Sequence, residues 1–222
     1  MLATIDVVSF RRRRAALRLL RKPGGCFSEP PAFSRALLAV DDWRFTDLSR
    51  IAVVAGWTDA AAALEPPGGR VAEKWRGTFD VQRTHGTLGG DDPLASSGSP
   101  PSGPGAIWTV GSVKVRHVPS FLRHNGGVVA ELEQSPGLLS AIGVVGLWRH
   151  GPWMCTLSFW RDLDAGLAFA YRGSPNHQDA MRKMRSGAFG TRELYFARLG
   201  LVASAGTIAG RDPFSDIGAM AA

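Results

Sequence analysis

The sequence predicts an α+β fold in which antiparallel sheets with flanking helices close into a barrel. Three observations carry that expectation. The stretch from Met154 to Phe196 reads as an apolar strand ending at Trp160, an acidic helix start at Asp162, and a short apolar helix. Ser174-Pro175, a second helix containing His177 and a closing strand near Glu193-Leu194-Tyr195-Phe196 follow. A weaker copy of its opening lies in the first half, where Ile51 to Trp57-Thr58-Asp59 precedes an Ala-rich segment. Aligning Trp57 with Trp160 also aligns Asp59 with Asp162 and Leu64 with Leu167. Each half approximates strand, helix, strand, strand, helix, strand, the order of a ferredoxin-like unit. Two such units pack as an α+β barrel, either within one chain or across a homodimer.

Each element has a local reason. Residues 2–10 alternate as a strand and feed a basic helix, which Pro23-Gly24-Gly25 ends because neither residue type continues one. Residues 26–50 are irregular and aromatic, with Phe27, Phe33, Trp43 and Phe45, and part of them reads as strand. Residues 51–57 read as a buried strand, and Asp59 is placed to cap a helix over Ala60–Leu64 that Pro66-Pro67-Gly68-Gly69 breaks. Gly77 to Arg83 alternates as a further strand. Residues 86–105 are Gly, Ser, Pro and Asp with few large side chains, the composition of a flexible linker between a first half (1–85) and a second (106–202). Ala106 to Val115 opens that second half as a strand. Pro119 opens a helix around Phe121-Leu122, Gly126-Gly127 follows, short apolar segments cover 128–133 and 142–148, and Gly151-Pro152 turns into a strand over 153–160. The Ala/Gly-rich tail from 203 to 222 is expected to be loosely held.

Composition sets limits. A chain of 222 residues with 45% hydrophobic and 20% charged content can bury a substantial core. No apolar run approaches the roughly 20 residues needed to span a bilayer. In the opening segment the arginines follow the apolar stretch, the reverse of a secretory signal, which points to a cytoplasmic setting. Cys26 and Cys155 form neither a disulfide framework nor a metal spacing.

The formal net charge is +7, and residues 11–22 alone hold seven cations and no acid. On a helix, Arg11, Arg14, Arg18, Arg21 and Lys22 share one face, with Ala16, Leu17, Leu19 and Leu20 on the other. Arg12 and Arg13 fall toward the apolar side, so the helix is expected to begin just after them. The plain reading is a surface helix with a solvated basic face. The sharper one is docking on an anionic membrane surface, peripheral to its inner face, or on an acidic partner. Nucleic acid is not expected, since the basic charge does not extend along the chain and no recognition motif accompanies it.

The candidate chemistry centres on the helix after Ser174, an N-cap, and Pro175, a favoured first helical residue. His177, Ala180, Met181 and Met184 follow i, i+3, i+4, i+7 spacing and share a face, while Arg182, Lys183 and Arg185 point toward a rim. An imidazole among soft apolar side chains suits axial ligation of haem iron, and neighbouring cations suit the propionates. The plain alternative is a core histidine bonded to a backbone carbonyl, with substrate contact or acid–base work as a third. His117, His124 and His150 lie in or beside expected turns, and His85 ends a strand. No H-x-x-x-H, CxxC, G-x-S-x-G, Walker A or G-x-G-x-x-G signature occurs, so zinc and nucleotide chemistry lack support. Seven tryptophans suit a core, or a pocket for a large flat or long apolar ligand. Trp57, Trp160, Phe159 and Tyr171 are the expected pocket walls.

Thr156 to Tyr171, with Pro175-Asn176-His177, Met181-Arg182 and Arg192 to Arg198, resembles the spheroidene monooxygenase (carotenoid ketolase) family. Ala52 to Asp59 and Ala106 to Val110 also match its pattern. The resemblance spans about two thirds of the chain and is dense from 140 to 200. It implies a dimeric α+β barrel, haem b, and insertion of molecular oxygen into a carotenoid or other isoprenoid with an external reductant and a redox partner. The family's Pro-His histidine falls on His177, here with Asn176 inserted. Haem-degrading proteins of the same barrel fold place their axial histidine on the equivalent late helix. Cofactor-independent barrel oxygenases also have histidines there, so a base acting on an aromatic or polyketide-like substrate stays open, as does a non-catalytic haem or lipid carrier. The 86–105 segment and the arginine run at 11–14 depart from the family.

Overall fold

A computed structural model describes residues 1–40, 49–66, 71–148, 151–190 and 193–218. Its eight strands are β1 (Leu2–Phe10), β2 (Phe33–Val40), β3 (Arg50–Trp57), β4 (Val71–Gly86), β5 (Gly105–Ser112), β6 (Leu138–Trp148), β7 (Gly151–Trp160) and β8 (Leu194–Gly206). The helices are α1 (Arg13–Arg21), α2 (Val118–Glu133), α3 (Leu163–Ala168), α4 (Pro175–Arg185) and the short α5 (Ser215–Gly218).

The strands form one closed barrel in the order β1-β3-β2-β6-β7-β5-β8-β4, with every neighbouring pair antiparallel. Each half has the ferredoxin-like order, β4-β1-β3-β2 and β8-β5-β7-β6. The halves join where β2 meets β6 (Leu38↔Val145) and β4 meets β8 (Trp75↔Gly206 to Gly86↔Tyr195). Closure within one chain leaves no sheet edge among these strands.

Strand alternation sorts side chains to the two faces. Ala3, Ile5, Val7, Trp75, Phe79, Trp108, Val110, Phe159, Tyr195 and Leu199 point inward and fill the barrel. A second layer lies outside. Over the first half, α1 buries Ala16 and Leu19 against Val8, Ile51, Val53 and Trp57. Over the second, Phe121, Met184 and Phe189 pack on Val145 and Met154.

Several expectations are corrected. Ala60–Leu64 is not helical: Leu64 bridges Phe27 in extended form, Glu65 N–H donates to Cys26 O at 2.6 Å, and Asp59 accepts from the Thr58 hydroxyl. Five residues before two prolines cannot repay helix nucleation. The 86–105 segment is anchored. Leu88 and Leu94 are buried in the barrel core, Asp92 accepts from Tyr195 and Thr84, and Ser97 N–H donates to Val81 O. The expected loose tail is held too. β8 continues to Gly206, and Phe214 is 5% exposed, packed against Trp75, Phe79 and Phe159. α2 runs straight through Gly126-Gly127, so 128–133 is helix and His124 is helical. Leu17 is 42% exposed, since α1 buries a narrower stripe than its apolar count suggested. Trp43, Phe45 and His150 lie outside the described residues.

Candidate functional site

The two halves treat the space between helices and sheet differently. Trp57 and Trp160 occupy equivalent strand ends, as the repeat alignment requires. In the first half the described residues pack closely around Trp57. Trp57 Nε1 donates to Thr4 Oγ1 at 3.1 Å, and Phe27 packs edge-on against its ring at 5.1 Å. Arg76 clamps the buried Asp6 at 2.8 and 2.9 Å and donates to Ala62 O. Burial raises the Asp6 pKa despite Arg76 and Lys74 nearby.

The second half is open. Two adjoining cavities lie between the outer sheet face and α3–α4. A smaller one of about 110 Å³ is lined by Phe121, Val128, Met154, Trp160, Phe169 and Met184 among others. A larger cleft of about 920 Å³ is lined by Ile107, Leu167, Tyr171 and Phe196, and by Arg83, His85, Arg182, Arg185 and Arg198. His177, Met181, Ala170, Ile107 and Thr109 line both, so the imidazole stands where apolar pocket meets cationic cleft.

Local chain chemistry positions that ring. Asp162 caps α3 by accepting from Asp164 N–H at 3.0 Å. The chain then widens into a π-turn over Phe169–Gly173 before Ser174 and Pro175 start α4. Continuing the π pattern, the Ala170 carbonyl would accept from residue 175, but proline has no N–H. That carbonyl instead meets His177 Nδ1 at 3.1 Å. A carbonyl only accepts, so Nδ1 carries the proton and Nε2 keeps its lone pair. Burial lowers the His177 pKa, opposed by the Ala170 carbonyl and by Glu131, which favours the neutral ring. Phe169 lies 5.3 Å away, centroid to centroid.

Glu131 on α2 fixes the start of α4. Its carboxylate accepts from Ser174 Oγ, from Asn176 N at 3.2 Å and from Asn176 Nδ2 at 2.6 Å, while Ser174 Oγ accepts from His177 N–H at 3.0 Å. Close approach of the two helices needs Gly127, where an added Cβ would stand 3.0 Å from the Asn176 side chain.

His177, Ala180, Met181 and Met184 all line the smaller pocket, as helical spacing predicts. Arg182 and Arg185 sit on the cleft, Arg182 paired with Asp179 at 3.2 Å. Trp160 lines the pocket and Tyr171, 61% exposed, lines the cleft. Trp57 and Phe159 do not join them. Trp57 belongs to the first-half outer cluster and Phe159 points into the barrel. Sequence reasoning missed Glu131, Phe169, Ile107, Thr109 and the Arg83–Arg198 pair. His124 contacts Asp179 (3.3 Å) and Lys183. No metal-holding cluster of His, Cys, Asp or Glu occurs among the described residues, and no helix there is long and apolar enough to cross a membrane.

No family model matches the chain and no curated protein sequence does. Solved structures do. An aldoxime dehydratase shares 12% identity over 90% of this chain and 81% of that one, with a TM-score of 0.55. An anthrone oxidase-like protein shares 16% over 92% of both chains at a TM-score of 0.41. A heme-degrading enzyme from Listeria monocytogenes shares 12% over 87% of this chain and 98% of its own, at 0.33. At 12% identity the likeness to the dehydratase concerns fold alone. The molecule is an α+β protein of the ferredoxin-like class, with a cleft in its second half beside a buried histidine.

Proposed function

We propose that the chain is a haem-dependent monooxygenase acting on a hydrophobic substrate of the isoprenoid or carotenoid class. One observation carries the reading: His177 is tied at Nδ1 to a backbone carbonyl, keeps a free Nε2 lone pair, and lines a cavity of porphyrin scale. A histidine ligand needs that second-shell tether to fix its tautomer. The lining fits the group, with Ile107, Leu167 and Met181 offering apolar contact and Arg182 and Arg185 offering cations for the carboxylates. Haem held there would supply activation of molecular oxygen, with electrons from an external reductant or redox partner.

The chain's own contribution is binding and exclusion of water. Trp160, Phe169 and Met184 line the inner pocket and offer apolar contact to the bound ligand. Arg11, Arg12, Arg21 and Lys22 are exposed at the ends of α1 and would draw the protein to an anionic membrane surface, where such substrates dissolve.

Titrating haemin into the purified chain should give a Soret band at one haem per chain, lost in His177→Ala. Turnover of a carotenoid with reductant and oxygen should follow the same variant. Haemin binding that ignores the His177→Ala change would falsify the assignment.

The neutral imidazole also supports a second reading, since a free Nε2 can take a proton from a phenolic substrate. Oxygen uptake with such a substrate in haem-free protein, abolished by His177→Ala, would select it.

A further inference from the structure

We infer that Arg83 and Arg198 form an anion-binding site at the end of the large cleft, for an apolar ligand that ends in paired carboxylates or a phosphate.

The placement of Arg83 requires a backbone irregularity. Val81 points into the barrel, so a regular strand would send residue 83 inward as well. The register between β4 and β8 shifts between Val81 and Arg83. Val81 faces Leu199 and Arg83 faces Arg198, leaving Gln82 as the extra residue. This bulge turns Arg83 outward, onto the cleft wall, directly opposite Arg198. His85 follows on the same face, opposite Phe196 and stacked on it at 6.5 Å.

Like charges directly opposite on paired strands repel, so the pair costs stability in the ligand-free chain. Arg198 donates to the Tyr171 hydroxyl at 3.1 Å, which offers no charge. Among the described residues no carboxylate pairs with Arg83, Arg185 or Arg198, and none lines the cleft. α4 adds Arg182 and Arg185 to the same cleft, and Ile107, Leu167 and Phe196 supply its apolar lining. The complement of such a cleft is a greasy body with a dianionic terminus. A tetrapyrrole with two propionates has that chemistry, and so does a prenyl diphosphate. The site deepens the haem reading if the first is the ligand, yet its charge recognition needs no iron.

The test uses metal-free protoporphyrin IX against its dimethyl ester, and geranylgeranyl diphosphate against geranylgeraniol. Each binds the full-length chain under tryptophan-fluorescence titration at two salt concentrations. The charged member of one pair should bind roughly tenfold tighter, the lower range for charge-assisted hydrogen bonds in an exposed cleft. That preference should weaken with salt, vanish in an Arg83→Gln/Arg198→Gln double variant, and partly return with Arg198→Lys. The ligand-free melting temperature of the double variant should be unchanged or higher. Preference in the porphyrin arm assigns the site to the cofactor, and preference in the prenyl arm assigns it to the substrate. If neither charged probe is preferred, or the preference survives in the double variant, the site is wrong. Because protoporphyrin IX has no metal for His177 to ligate, this outcome stays separate from a failure of haem ligation.

Discussion

Asn176, which separates Pro175 from His177, donates through Nδ2 to Glu131 Oε1 at 2.6 Å and so pins the start of α4 to α2. The same carboxylate accepts from Ser174 Oγ, and that hydroxyl caps the His177 amide. Glu131 is thus a positioning residue for the imidazole, two bonds away from it. Glu131→Ala leaves the fully buried Ser174 hydroxyl without its acceptor, which should cost about 2 kcal/mol in urea unfolding. Haemin affinity should fall with it. Glu131→Gln, still able to accept from Ser174, should recover most of both. Equal losses in the two variants would mean that charge, not geometry, is what matters.

His177 should also leave a signature in the pH dependence of stability. Burial depresses its pKa below the ordinary 6.5, against smaller upward pulls from the Ala170 carbonyl and Glu131. Below about pH 6.5 the unfolded chain takes up this proton before the folded one does. The contribution is therefore intact above that pH and declines as pH falls toward the folded pKa. His177→Gln should flatten this part of a melting-temperature profile while leaving the neutral-pH end similar. Ligand binding through Nε2 should weaken over the same acidic range. A profile unchanged by the substitution would show that the ring is solvated.

What the sequence disclosed follows from how local each signal is. The shared face of His177, Ala180, Met181 and Met184 depends on helical period alone, and Ser174-Pro175 marks its start chemically. The match of Trp57 to Trp160 survives because both end equivalent strands. Arg83 was illegible, since a one-residue bulge reverses the parity on which strand reading depends. Glu131 was hidden because Gly126-Gly127 weakens the helical signal there, where Gly127 serves a helix contact made 49 residues later by Asn176. Leu88, Leu94 and Phe214 sit alone in polar surroundings, and only the barrel core they join explains them. Asp59 carries a cap signal that the prolines at 66 and 67 override.

The carboxyl-terminal segment should behave as core. Removing residues 207–222 strips Phe214 from Trp75, Phe79 and Phe159, and takes Asp212 from Trp75 Nε1, which it meets at 3.1 Å. Glu73 also loses Thr207, Ala209 and Gly210 as donors. Phe214→Ala alone should cost about 3–5 kcal/mol, and the truncation at least as much. Trp75 emission should shift to the red in both. Truncated protein with unaltered unfolding would return this segment to the status of a loose tail.

Gly126 and Gly127 offer a paired test of how closely α2 and α4 approach. Both lie inside α2, where alanine is favoured over glycine by about 1 kcal/mol. A Cβ on Gly126 meets nothing within 4 Å, so Gly126→Ala should gain most of that amount in denaturant titration. A Cβ on Gly127 stands 3.0 Å from Asn176 Cγ and Nδ2, tighter than ordinary contact. Gly127→Ala must move Asn176, whose two bonds to Glu131 hold it in place, and the helix gain should be cancelled or reversed. The displaced residue adjoins His177, so haemin affinity should drop in Gly127→Ala and hold in Gly126→Ala. Equal stabilisation by both, with no change in binding, would show that the helix contact does not set the position of the imidazole.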